Sequence, residues 1–200
     1  MELEKRHVVA FAQAENLICH CDYCPYLELK EMIQDESGEA RVKFRSLFSR
    51  YYGMDPFVKP DFKDKFFEIL FSRTGIDGNG ADYSKILHLL VEGGHGFQAS
   101  FVSKLVNIHV ESSPIDDVHV RDLLGEKLPY TYINIDNKID WFERHLREIK
   151  STYEEWGKDK RIFTILERFK SKDKGLQSCH IVRLMDFLVW KVGNQNLLGR

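Results

Sequence analysis

Apolar side chains recur along this chain at steps of three and four residues, and strict alternation is rare. That period belongs to one face of an α-helix; a half-buried strand would alternate every second residue. The pattern predicts an all-α protein. Helices are expected over residues 2–16, 39–52, 61–73, 81–92, 97–110, 117–125, 136–156, 158–170 and 178–192. Pro25 sits where a helix accepts its first residue, so a short helix should open there and run to Gln34. Ser37-Gly38, Gly53 and the turn-rich run from Thr74 to Gly80 divide these segments. Residues 128–135 read as extended or irregular. Trp141, Trp156, Trp190, Phe142, Phe163, Phe169 and Phe187 fall at helical spacings and are expected in the core.

Two hundred residues suffice for one domain or two small ones. We expect a single helical domain over 1–200, divisible into lobes at 1–75 and 76–200. A hydrophobic content of 43% against 30% charged residues fits a folded chain, not a disordered one. No apolar run reaches the roughly 18 residues needed to span a bilayer. The charged N-terminus lacks the apolar core of a secretory signal, so a cytoplasmic monomer is the expectation. A formal net charge of −2 excludes a protein coated in positive charge but leaves room for local basic patches. Residues 158–174 hold seven Lys or Arg against three acids, and residues 41–50 hold four Lys or Arg and no acid. Either stretch is a nucleic-acid footprint or the solvated face of a helix.

Between Leu89 and Phe101 an apolar helix meets Gly93-Gly94-His95-Gly96 and a second apolar helix leaves it. Glycine tolerates positive φ and leaves room for a close neighbour. The unpaired N–H groups opening the second helix, with the positive end of its dipole, suit a backbone phosphate. One helix later comes Pro114-Ile115-Asp116-Asp117-Val118-His119-Val120. Together, Gly94-His95-Gly96-Phe97-Gln98-Ala99-Ser100 and this second segment resemble the helix-hairpin-helix DNA glycosylases with a Gly/Pro-rich loop and an aspartate, the superfamily of endonuclease III and 8-oxoguanine DNA glycosylase. The resemblance covers about thirty residues.

That resemblance implies a helix-hairpin-helix element that binds DNA, with the two lobes flanking a cleft. It implies DNA contacts from Gly94, His95, Gly96, Gln98 and His119, and a catalytic carboxylate at Asp117. An extra residue between Pro114 and Asp117 leaves Asp116 as the other candidate. Gln98 stands where bifunctional members carry their Schiff-base lysine, so the implied enzyme is monofunctional. Its carboxylate would stabilise the positive charge that develops on the sugar and activate water. The ordinary alternative for Asp117 is a helix N-cap, and for His119 a solvent-facing side chain. Tyr130 and Tyr132 are candidate pocket residues, and Arg73, Thr74 and Asn79 form a loop able to enter a duplex. A non-catalytic helix-hairpin-helix DNA-binding protein fits the same residues.

A third reading starts from Cys19, Cys21 and Cys24. In a reducing cytosol these would be thiols. The spacing of Cys21 and Cys24 suits a metal pair, with Cys19 or His20 as a third ligand and Cys179 or His180 as a distant fourth. The implied cofactor is zinc, and the implied protein a zinc-stabilised helical interaction module.

Overall fold

The structure is a computed structural model in which residues 1–55, 58–77, 80–127 and 134–199 are described. It is all-α, as the three-to-four-residue period requires: eleven helices and one minimal strand pair occur among these residues. None of the helices is long and apolar enough to cross a membrane. The chain divides into two compact units. Unit 1 is assembled from both ends, Met1–Cys19 and Glu111–Arg200, and unit 2 is the continuous stretch His20–Val110. Residues 75 and 76 both belong to unit 2.

Unit 1 opens with α1 (Lys5–Leu17), whose start is closed by a reciprocal cap: the Glu4 side chain accepts from the backbone of His7, and the Glu4 N–H donates to His7 Nδ1. In unit 2, α2 (His20–Met32) begins five residues before Pro25, which sits inside it instead of opening it. With no N–H to donate, Pro25 leaves one intrahelical hydrogen bond unmade in the second turn. Next come α3 (Gly38–Tyr51), capped by Ser37, and α4 (Pro60–Ser72). Arg73 then takes a left-handed φ of 54° to close α4. The strands β1 (Ile76–Asp77) and β2 (Gly80–Ala81) pair antiparallel. They lead into α5 (Tyr83–Glu92), capped by Asp82, and then α6 (Ala99–His109). The core of unit 2 is aromatic: Phe44, Phe48, Phe66 and Phe67 are all at most 1% exposed and meet ring to ring.

Returning to unit 1, α7 (Val118–Leu124) is a short helix capped by Asp117 and ended by Gly125. It is followed by α8 (Ile135–Gly157), α9 (Lys160–Lys170), a single turn α10 (Lys174–Gln177) and α11 (Ile181–Asn194). Helix α11 is the axis of the unit. Every residue from Val182 to Val189 is buried, and α1, α7, α8 and α9 pack around it. Such all-round burial needs a helix apolar on nearly every face, and before its last residue only Arg183, Asp186 and Lys191 interrupt that character. Trp156, Phe142, Phe169 and Phe187 fill the core as expected. Phe163 and Trp190 do not: they are 55% and 37% exposed, because each lies on the outward stripe of its helix.

The two basic stretches are largely neutralised. In unit 1, Lys158 pairs with Glu155, Arg161 with Asp159 and Lys170 with Glu167. Arg168 and Lys172 both reach the buried carboxylate of Glu15 on α1, each at 3.2 Å. In unit 2, Lys43 pairs with Glu39 and Arg45 with Asp64, while Arg41 lies over the Phe71 ring. These cations tie helices together or decorate them, which matches the solvated-face reading.

Candidate functional site

The glycine-rich turn belongs to unit 2. Gly93 is the C-cap of α5, and Gly94 follows at φ 80°. The Gly94 N–H donates to the Val91 carbonyl and the His95 N–H to the Leu90 carbonyl. This crossed pair is a Schellman closure, which needs a left-handed residue at the position Gly94 occupies. A second left-handed residue, Gly96 at φ 71°, turns the chain into α6. Both glycines are exposed. His95 leans inward instead, its ring edge-on to Phe62 at 5.6 Å. Gln98 is the N-cap of α6 but does not cap it with its side chain; its amide donates to the His95 carbonyl at 3.1 Å, bracing the turn. The hairpin is therefore built by backbone geometry, and Gln98 holds its shape.

The aspartates belong to unit 1, and their environments differ sharply. Asp116 is completely buried. Arg121, just one turn into α7, donates through Nη1 to both carboxylate oxygens, at 2.8 and 2.7 Å. His145 of α8 brings Nε2 to 3.3 Å from Asp116 Oδ1. From the opposite side, Asp186 of α11 accepts from the Ile115 N–H through both oxygens, at 3.3 and 3.2 Å. Arg183 lies 3.8 Å from Asp186 and 4.0 Å above the Phe187 ring. The segment from Pro114 to Asp117 is thus clamped by one buried ion pair on each side. Each buried charge has an opposite partner, the arrangement that makes burial of an ion tolerable.

Asp117 escapes this clamp. It is half-buried, and its Oδ1 accepts from the Val120 N–H at 3.0 Å, capping α7. The N-cap role foreseen for it is realised. The two carboxylates differ in environment: Asp116 is buried and bonded to Arg121, whereas Asp117 is half-buried and caps α7.

Deeper in unit 1, the Tyr153 hydroxyl is fully buried and makes no hydrogen bond among the described residues. Burial pushes its pKa well above the ordinary tyrosine value, and the negative charges of Asp186, Asp117 and Asp116 push the same way against Arg183. Tyr153 is therefore a neutral phenol. His145 is 1% exposed, its ring stacked on Trp141 at 4.8 Å, and neither ring nitrogen completes a hydrogen bond among the described residues.

His119 lies two residues beyond Asp117, in the first turn of α7. Its ring rests directly on Gly193 of α11, where a Cβ would approach to 2.4 Å. Beside this contact a pocket of about 130 Å³ opens, lined by His119, Asp122, Leu123, Val189, Val192, Gly193, Asn196 and Leu198. A larger groove of about 450 Å³ runs along α8, with Arg144 and Arg147 set against Glu126 and Glu148. Its mixed charge gives it no preference for anions.

Among the cysteines, the ligand atoms of Cys19, Cys21 and Asp22 lie within 4.8 Å of one another. Cys19 and Cys21 are disulfide-bonded, so the expectation of thiols is corrected: their close spacing lets the two sulfurs pair. Cys24 is a free thiol that donates to Glu28 at 3.3 Å, and Cys179 is buried and free. Tyr130, Tyr132 and Asn79 lie outside the described residues.

Arg121, His145, Tyr153, Arg183 and Asp186 were not singled out in the sequence. The available signal was Arg183 and Asp186, three residues apart inside an otherwise apolar helix, since unpaired charges are not buried there. Comparison with known proteins finds no matching family model, no similar curated protein and no similar solved structure.

Proposed function

We propose that this chain is a DNA-binding base-excision protein, a monofunctional glycosylase that hydrolyses the N-glycosidic bond of a damaged or modified base, acting as a monomer. The observation that supports it is the contrast between two adjacent carboxylates. Asp116 is locked to Arg121, and Asp117 next to it is half-buried and caps α7 through Oδ1. A preorganised carboxylate is what an oxocarbenium-like transition state requires. The exposed hairpin glycines Gly94 and Gly96 supply the backbone grip on DNA. With Gln98 in place of a lysine, the chemistry is hydrolytic and passes through no Schiff base.

The test is base release from duplexes carrying 8-oxoguanine, uracil, mismatched adenine or alkylated bases, read as strand cleavage after alkali. Wild-type protein should cleave one of these; Asp117→Asn should not, while keeping its salt-dependent DNA affinity. Full activity in Asp117→Asn refutes the mechanism. One observation favours a second reading, binding without chemistry: Oδ1 of Asp117 is already engaged as a helix cap. DNA affinity with no base released from any duplex would support that reading.

A further inference from the structure

The cysteine run takes no part in the proposed DNA chemistry. Cys19 is the last residue before α2, and Cys21 is the second residue of that helix. Their sulfurs are bonded to each other, and both residues are exposed. A structural role explains this bond poorly. A crosslink stabilises a fold mainly by removing entropy from the unfolded chain, and the amount grows with the loop it closes. This loop encloses one residue, His20, and ties no element to a distant one. A metal does not explain the bond either. The ligand atoms of Cys19, Cys21 and Asp22 gather within 4.8 Å, but a metal binds thiolates, and two sulfurs joined to each other offer none. Exposed disulfides are instead the labile ones, open to attack by an outside thiolate. The place of Cys21 sets the direction of that attack. It lies in the first turn of α2, among N–H groups without intrahelical acceptors and at the positive end of the helix dipole. A thiolate released there is stabilised, and the more stable thiolate is the better leaving group.

We propose that Cys19 and Cys21 form a redox-active disulfide that oxidises an external dithiol by thiol–disulfide exchange, an activity independent of the DNA reading. One thiolate of the dithiol attacks Cys19 Sγ. The Cys19–Cys21 bond breaks, and its electron pair departs on Cys21 Sγ. The second thiolate of the dithiol then attacks the substrate sulfur of the mixed disulfide and expels Cys19 Sγ. The dithiol becomes a disulfide, its two electrons reduce the protein pair, and its two protons end on Cys19 and Cys21. A small disulfide such as glutathione disulfide reoxidises the pair and is itself reduced to two thiols, which completes a cycle. Cys24 stands outside the exchange as a free, half-buried thiol bonded to Glu28.

The experiment adds the full chain, at a small molar fraction, to a reduced peptide carrying two cysteines, with glutathione disulfide as the terminal oxidant. Formation of the peptide disulfide is followed by mass spectrometry. A second arm replaces the peptide with dithiothreitol. Wild-type protein should speed the oxidation above the protein-free rate, and Cys24→Ser should do the same. Cys19→Ser/Cys21→Ser should run at the protein-free rate while circular dichroism shows its helices intact. Cys21→Ser keeps the attacked sulfur and loses the leaving one. It should accumulate a glutathione adduct on Cys19 without turning over, which keeps the proposal testable if the double variant does not fold. Acceleration with the peptide alone identifies a polypeptide substrate, and acceleration in both arms identifies any accessible dithiol; either result sustains the proposal. The proposal is overturned if wild-type protein accelerates neither arm, or if Cys19→Ser/Cys21→Ser accelerates them as the wild type does.

Discussion

Replacing Arg121 with alanine would strand the carboxylate of Asp116. The side chain of Asp116 is 0% exposed and that of Arg121 14%, so solvent cannot substitute for the lost guanidinium. Two short charge-assisted hydrogen bonds disappear, and a buried anion loses its guanidinium, with His145 at 3.3 Å. Breaking one side of a buried pair costs about 3–5 kcal/mol. For a body of roughly 100 residues, each kcal/mol lowers Tm by about 4 °C or more, so the melting transition of unit 1 should fall by about 12 °C at least. Asp116→Asn should cost less, because Arg121 can turn its charge toward water. In Arg121→Ala/Asp116→Asn the stranded charge is gone, so the double variant should be more stable than Arg121→Ala alone. Urea and thermal melts of all four proteins at pH 7 form a double-mutant cycle. A coupling of at least about 1 kcal/mol is expected for residues in direct contact. Additive losses, or a loss below about 1 kcal/mol for Arg121→Ala, would refute the clamp.

Gly193→Ala would ordinarily stabilise a helix by up to about 1 kcal/mol; here its methyl group meets the His119 ring at 2.4 Å, so melts should show a loss of about 1–3 kcal/mol and NMR a displaced His119. Gly94→Ala forces a side chain into φ 80° and should cost about 1 kcal/mol in a urea melt, whereas Gly38→Ala, with open space and no positive φ, should be nearly silent. His109 has its pKa lowered to about 4 by burial, with Arg73 and Lys30 adding to the shift and a hydrogen bond to the Leu70 carbonyl opposing it. Because the folded value lies below the unfolded one, its stabilising contribution is whole above about pH 6.5 and is lost as pH falls toward 4. Discounted for partial solvent exposure the loss is at most about 2 kcal/mol, and a pH series of urea melts on His109→Gln should show a flatter dependence over that window.

Helix type and most boundaries were legible because α-helical burial writes its period into the chain. Pro25 misled because a proline need not be a helix's first residue: α2 begins five residues before it and carries it in the second turn. The strands β1 and β2 were invisible for a different reason. Two residues each carry no period, and the pairing depends on local bonds such as Asp77 accepting from the Gly80 N–H. Phe163 and Trp190 share the spacing of core aromatics but face outward, since periodicity shows that a stripe exists without saying what covers it. The candidate site shows the limit most clearly. Asp116 and Asp117 are chemically identical neighbours, and local sequence supports a cap at either. What separates them is Arg121 folding back and His145 and Asp186 arriving from α8 and α11, contacts with no local spacing rule. The hairpin glycines were legible as a turn; that Gln98 braces it through the His95 carbonyl was not.

The division of the chain has a consequence for how the molecule is made. Helix α1 packs on α11, yet Leu17 leaves the ribosome long before Ile181 is synthesised. His20–Val110 can complete its own aromatic core meanwhile, as a continuous body should. The first helix must wait, its buried face open to solvent, until the last one appears. Closing that distance carries the loop-entropy cost of a long-range contact. Truncation of α11 should therefore strand the two ends of the chain together, leaving the middle folded.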